Sequence, residues 1–145
     1  MRVRTILLPF AVVLAITLST LLAATASATQ VFHLTLTGAA EAPGPGDPDG
    51  SGTATITFNR GQAEVCYDYT VTGVAPLTAA HIHVAPAGSP GPVVIPLPPT
   101  SATGGSGCVS ADRELIKAIT KDPAAYYFNV HNAEFPAGAL RAQLG

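Results

Sequence analysis

Hydrophobic and polar residues alternate along most of the chain after residue 29, which is the pattern of half-buried β-strands. In residues 31–37, Phe32, Leu34 and Leu36 face one way and the polar residues between them face the other. The same period of two predicts that Val65, Tyr67, Tyr69 and Val71 share one face. The predicted strands are 31–37, 53–58, 63–72, 77–85, 93–95, 125–131 and 139–144.

Turn and helix signals lie between these strands. Residues 59–62 predict a hairpin turn with Gly61 in a left-handed conformation. Residues 96–107 are rich in Pro, Gly and Ser, which predicts a flexible loop leading to Cys108. One short helix is expected near residues 111–121, with Ser110 as its N-cap and Pro123 ending it. Together these signals predict an all-β protein, an antiparallel Greek-key β-sandwich or barrel with one short helix.

The first 28 residues have the pattern of a secretory signal peptide. Arg2 and Arg4 precede an apolar run over 6–24, and the small residues 26–28 form a cleavage site before Thr29. A single membrane anchor is the alternative, because the run is nearly long enough to span a bilayer. No basic flank follows the run, so we expect a secreted, extracellular domain over 29–145, free of the membrane after cleavage.

Charge narrows the range of partners. Without Arg2 and Arg4 the chain has five basic and nine acidic residues, a net charge of −4, and no basic run. This balance argues against nucleic acid and against anionic membrane surfaces as partners. The partner expected from the sequence is an unidentified protein or small ligand.

Two cysteines, Cys66 and Cys108, lie in the predicted exported domain. An even pair in an oxidising compartment predicts a disulfide, and a reactive thiol or a metal thiolate is the alternative. A disulfide closing a loop of about 40 residues would contribute roughly 3–4 kcal/mol in the chain-entropy model.

The histidines form the one constellation with clear chemical potential. His81 and His83 are two residues apart on a strand, so their rings project from one face. His131 lies on a later strand, and His33, on the first, is the fourth candidate ligand. All four are predicted to face away from the core, where they are free to converge and reach solvent. Three such imidazoles are a common way to bind copper or zinc, with ring nitrogens about 4–5 Å apart or closer.

Polar neighbours could orient these rings. Asn129 and Tyr127 share the predicted face of His131. Glu41 and Arg141 are further polar candidates.

Two other interpretations stay open at the level of sequence. The histidines could form a structural hydrogen-bonding cluster, or simply a polar strand face in a module that binds protein. A redox metalloenzyme is the third interpretation, but a copper-only dismutase-like site would need all four histidines, including His33. No nucleophile elbow, phosphate loop or zincin motif occurs, so the sequence favours a non-catalytic module and no catalytic residue is predicted.

Several short segments, in order along residues 29–145, resemble the CHRD domain family, named for chordin and widespread in secreted microbial proteins. This resemblance implies an extracellular β-sandwich module. A weaker similarity, to copper-zinc superoxide dismutases, rests on a His-x-His strand, a later strand histidine and a disulfide. The segments that resemble the CHRD domain are Leu36-Thr37-Gly38-Ala39-Ala40-Glu41-Ala42-Pro43, Gly52-Thr53-Ala54, Thr78-Ala79-Ala80-His81-Ile82-His83, Gly91-Pro92-Val93-Val94, Tyr127-Phe128-Asn129-Val130-His131 and Pro136-Ala137-Gly138-Ala139-Leu140-Arg141.

Overall fold

A computed structural model describes residues 29–145 of the chain. The predicted signal peptide, residues 1–28, lies outside the described residues. Within 29–145, no helix has the length and the apolar character needed to cross a membrane.

Eight antiparallel strands form one sheet that curls into a nearly closed barrel or sandwich, which confirms the predicted fold class. The elements are β1 (Thr29–Thr37), β2 (Ser51–Asn59), β3 (Glu64–Thr72), β4 (Leu77–Val84), β5 (Val93–Pro96), β6 (Gly104–Ser110), α1 (Arg113–Lys121), β7 (Tyr126–Asn132) and β8 (Leu140–Gln143), with short 3₁₀ turns at Gly38–Ala40 and Pro123–Ala125. The strand order is β5-β4-β7-β8-β1-β2-β3-β6. Strands β4 and β7 are therefore neighbours, although more than 40 residues separate them in sequence.

The core contains the apolar face that the alternation predicts. Leu36, Ile56 and Phe58 are fully buried. Phe32 packs edge-on against Phe58 with ring centroids 5.6 Å apart. Burying side chains of this size contributes about 1.5–3 kcal/mol each, so this face stabilises the sheet while the opposite face is free to carry polar groups.

Helix α1 begins two residues later than the sequence predicts. Its N-cap is Asp112, whose carboxylate accepts hydrogen bonds from the backbone N–H groups of Glu114 and Leu115. Ser110, the predicted cap, is instead the last residue of β6, paired with Glu64. The sheet therefore extends to the helix and leaves the capping to Asp112.

Strand β6 corrects the prediction of a flexible loop over 96–107. Gly104 and Gly105 pair with β3, and a Cβ on Gly104 would lie 2.4 Å from the Tyr69 carbonyl oxygen. A Cβ on Gly105 would lie 2.7 Å from the Tyr69 hydroxyl. Glycine is needed here because the strand runs directly against this tyrosine, and glycine carries no hydrophobic alternation that could reveal a strand.

The hairpin turn before β3 also differs from the prediction. Ala63, with φ of 54°, adopts the left-handed conformation assigned to Gly61 from the sequence. Asn59 fixes the turn, because its side chain accepts a hydrogen bond from the backbone N–H of Gln62.

Cys66 and Cys108 form the predicted disulfide, with an S–S distance of 2.07 Å. They lie directly opposite one another on β3 and β6. Neither thiol is left for catalysis or for metal binding in the oxidised protein.

Candidate functional site

Strands β4 and β7 bring the histidines together. In their antiparallel register Ala79 pairs with His131, His81 with Asn129, and His83 with Tyr127. Residues directly opposite one another project from the same face of a sheet, so the rings of His81, His83 and His131 share one face. The sequence did not reveal this pairing.

The three rings form a compact group, which we call the histidine cluster. The ring centroids are 5.0 Å apart for His81 and His131, 5.5 Å for His81 and His83, and 6.0 Å for His83 and His131. One nitrogen from each ring lies within 4.8 Å of the other two. This separation is within the range required for the predicted three-imidazole site.

The cluster is less exposed than the alternation indicates. His83 and His131 are only 7% and 9% exposed, and His81 is half-buried. The rings do project away from the apolar core, but the loops that carry Gly91 and Pro136 contact them from outside the sheet. The prediction that all these imidazoles reach solvent is therefore wrong for two of the three.

His83 is held in a fixed orientation. Its Nδ1 lies 2.8 Å from the carbonyl oxygen of Gly91, to which the Nδ1–H donates. Its ring stacks on Tyr127 at a centroid distance of 4.7 Å and an interplanar angle of 8°. The other nitrogen, Nε2, is buried without a hydrogen-bond partner. That nitrogen therefore has an unused lone pair inside the protein.

Arg141 supports this arrangement from β8. Its guanidinium carbon lies 3.4 Å from the centroid of the Tyr127 ring. The same group donates to the carbonyl oxygens of Ser89 and Pro86, and so fixes the loop that leads to Gly91. Arg141 is 1% exposed and acts on the cluster through Tyr127 and this loop.

His131 has an oxygen atom close to each ring nitrogen. Nδ1 lies 3.1 Å from the carbonyl oxygen of Pro136. Nε2 lies 3.0 Å from Oδ1 of Asn129 and 3.2 Å from Nδ1 of His81. Asn129 is thus in direct contact with the cluster, as its shared strand face predicts.

Glu41 follows the 3₁₀ turn at Gly38–Ala40. Its carboxyl group is 8% exposed, with Oε1 unpartnered. Burial raises the pKa of this carboxyl, although Asn129 and the charge of Arg141 oppose the change. A Cβ on Gly138 would lie 2.4 Å from the Glu41 Cδ, so the glycine backbone packs directly on the carboxyl.

Burial keeps His81 and His131 neutral at neutral pH. Burial, followed by the neighbouring rings of His131 and His83, lowers the pKa of His81 to about 4. Burial also lowers the pKa of His131, against the opposing effect of the Pro136 carbonyl. Neutral imidazole is the form that binds metal ions, so these two rings are ready for ligation at neutral pH.

His33, the fourth candidate ligand, does not join the cluster. It lies exposed on β1, where its Nδ1 is 3.2 Å from the Thr55 hydroxyl. In the strand order, β8 lies between β7, which carries His131, and β1, which carries His33. A four-histidine site that includes His33 is not formed among the described residues.

Two groups that position the cluster were not predicted from the sequence. The backbone carbonyls of Gly91 and Pro136 fix the rings of His83 and His131, and every residue type carries such a carbonyl. Only the Pro and Gly content of the two loops, which marks them as turns, could have directed attention to them.

Comparison with known proteins identifies one family. The family model described as the CHRD domain matches residues 32–144, in agreement with the resemblance seen in the sequence. No curated protein and no solved structure matches the chain.

Proposed function

We propose that this chain, which belongs to the CHRD domain family, is an exported, non-catalytic β-sandwich module that binds one zinc or copper ion through His81, His83 and His131. The observation that carries the proposal is the direction of the ring lone pairs. It has three supports: the hydrogen bonds that fix His83 and His131, the neutrality of His81 and His131, and the chemistry of imidazole.

The hydrogen bonds select the tautomer that a metal ion needs. When His83 donates Nδ1–H to Gly91 and His131 donates Nδ1–H to Pro136, the lone pair of each ring is on Nε2. Metal-binding histidines characteristically donate their other ring N–H to a carbonyl or carboxylate in this way. Leaving a buried nitrogen such as His83 Nε2 unpaired costs about 1–3 kcal/mol, and an ion would remove that cost.

The ligand set narrows the choice of ion. Imidazole nitrogen suits Zn²⁺ and copper, whereas Ca²⁺ and Mg²⁺ require mostly oxygen ligands. In an ideal tetrahedral site with bonds of 2.0–2.1 Å, ligand atoms lie about 3.3 Å apart. His81 Nδ1 and His131 Nε2, at 3.2 Å, already meet this distance. Any pair of ring nitrogens that is farther apart would have to reach this separation by rotation of the rings.

Export is part of the proposal. The disulfide between Cys66 and Cys108 is typical of an oxidising compartment, and the family is of an extracellular type. The features of residues 1–28 support a signal peptide that directs the domain there.

A metal-free structural or protein-binding module is the alternative, and one observation favours it. If His81 carries its proton on Nδ1, it can donate to His131 Nε2 across 3.2 Å and pair that nitrogen without an ion. A redox metalloenzyme has less support, because the fourth imidazole that it would need is on another part of the sheet.

Metal titration of the purified exported protein separates these possibilities. We expect one Zn²⁺ or Cu²⁺ per chain, a higher melting temperature with the ion, and loss of both effects in His81→Ala and in His131→Ala. His33→Ala is the matched control and should bind normally, since His33 lies outside the cluster. Absence of binding, with no change in melting temperature for either ion, would exclude the metal and leave the structural module. Dismutation of superoxide by the copper-loaded form would support the enzyme instead.

A further inference from the structure

We propose that Asn129 supplies the fourth ligand of this metal site through Oδ1, so that the site is closed by protein atoms. This inference rests on the proposed function. It follows from a conflict between hydrogen-bond acceptors around His131.

His131 faces an acceptor oxygen at both ring nitrogens. The Pro136 carbonyl oxygen is 3.1 Å from Nδ1, and Asn129 Oδ1 is 3.0 Å from Nε2. A neutral imidazole carries only one N–H, so either tautomer places one nitrogen lone pair against an oxygen lone pair. A doubly protonated ring would satisfy both oxygens, but it would place a positive charge on a side chain that is only 9% exposed. A cation bound to both Nε2 and Oδ1 resolves the conflict, with Nδ1–H donated to Pro136.

The Asn129 amide presents Oδ1, and not its NH₂ group, to His131. Asn129 is 1% exposed, so its side chain has little freedom to leave this orientation.

Two of the distances between the proposed ligand atoms are close to those of a tetrahedral site. Asn129 Oδ1 and His81 Nδ1 lie 3.0 and 3.2 Å from His131 Nε2, close to the spacing of about 3.3 Å expected in a tetrahedral site. His83 Nε2, buried and unpartnered, is the remaining donor. The result is a set of three imidazole nitrogens and one amide oxygen.

This ligand set has a functional consequence. Structural zinc sites have four protein ligands, whereas catalytic sites keep one position for water or substrate. A site closed by Asn129 therefore stabilises the fold and does not activate water. The oxygen donor also favours a divalent ion over Cu⁺, which prefers soft sulfur ligands.

Cobalt substitution tests the fourth ligand, because Co²⁺ reports its coordination number in the visible spectrum. Wild-type protein should give an intense four-coordinate spectrum that added azide does not change. In Asn129→Ala a solvent position opens, so the spectrum should respond to azide and Zn²⁺ affinity should fall about 10–100-fold. Asn129→Asp restores an oxygen donor and should recover the azide-resistant spectrum.

Asn132→Ala is the matched control for Asn129→Ala. Asn132 is an equally buried asparagine of β7, but its Oδ1 accepts from the backbone of Glu134 and Phe135, away from the cluster. Its loss should lower the melting temperature without changing the cobalt spectrum. The melting temperature of every variant, recorded alongside, shows whether the variant is folded.

The possible failures are distinguishable. If wild-type protein binds neither Zn²⁺ nor Co²⁺, the proposed function is wrong and this inference with it. If wild-type protein binds the ion but already responds to azide, and folded Asn129→Ala behaves identically, only the role of Asn129 is overturned. Binding of Zn²⁺ without Co²⁺ would contradict the tetrahedral nitrogen–oxygen set. Should Asn129→Ala fail to fold, an azide response in wild-type or Asn129→Asp protein would still overturn the inference, and azide resistance in both would support it.

Discussion

His81 and His131 meet across two neighbouring strands, with Nδ1 of the first 3.2 Å from Nε2 of the second. Fifty residues of sequence separate them, and the antiparallel pairing of β4 with β7 brings them together. Because His131 is buried and His81 is half-buried, this contact links the protonation of these two rings to the stability of the fold.

The metal-free protein should lose stability as the pH falls from about 6.5 to about 4. His81 has a pKa of about 4 in the folded protein, against 6.5 ordinarily. The unfolded chain therefore binds a proton first as the pH falls, which favours unfolding. Chemical denaturation at several pH values measures the slope. His81→Gln should flatten it, whereas His33→Gln, at an exposed position, should not. If His81→Gln shows the same slope as the parent protein, His81 is not the cause of this pH dependence.

Glu41 should give stability the opposite trend in the metal-free protein. Burial raises its pKa above the ordinary value of 4.5, so the folded state holds the proton more tightly than the unfolded chain. Stability contributed by the protonated form is present below pH 4.5 and is lost as the pH rises through the folded pKa. Glu41→Gln should remove this loss, and denaturation curves at acidic and neutral pH measure it. A variant that loses stability with rising pH as steeply as the parent would refute the prediction.

Arg141→Lys should destabilise the protein by roughly 2–4 kcal/mol and weaken metal binding. Lysine cannot reproduce the guanidinium fork that donates to Ser89 and Pro86, nor its contact with the Tyr127 ring. Each lost hydrogen bond to a charged group costs about 1.5–3 kcal/mol, and lysine recovers part of this. Urea denaturation and a Zn²⁺ titration measure the two effects. Arg113→Lys is the control. Arg113, at the start of α1, also donates to backbone carbonyls, but at an exposed site. Equal losses in both variants would show that Arg141 has no special role.

Removal of the disulfide should lower stability by about 3–4 kcal/mol and leave metal binding intact. Cys66 and Cys108 close a loop with a sequence separation of 42. Their link joins β3 to the edge strand β6, at the opposite end of the strand order from β4 and β7. Denaturation of the Cys66→Ser/Cys108→Ser double variant, with a Zn²⁺ titration in parallel, measures both. Loss of metal binding in a folded double variant would connect the disulfide to the site, contrary to this account.

The sequence predicted the parts of the fold in which local pattern and tertiary environment agree. Alternation identifies β1, because Leu34 and Leu36 pack into the core and the residues between them do not. It fails for β6, because Gly104 and Gly105 have no side chains to alternate and their position is dictated by contact with Tyr69.

The candidate site was predictable as a set of residue types but not as an arrangement. His33 has the same local pattern as His81, yet the strand order places it elsewhere on the sheet. The neighbouring positions of β4 and β7 depend on how the whole chain folds. The carbonyls of Gly91 and Pro136, which orient two of the rings, carry no sequence signal at all.

Anomalous X-ray diffraction from crystals grown with Zn²⁺ or Cu²⁺, measured at the absorption edge of the metal, tests directly whether the histidine cluster binds a metal ion. We expect one strong anomalous peak about 2.0–2.1 Å from a ring nitrogen of each of His81, His83 and His131. A crystal with well-ordered histidine rings and no anomalous peak among them would contradict it.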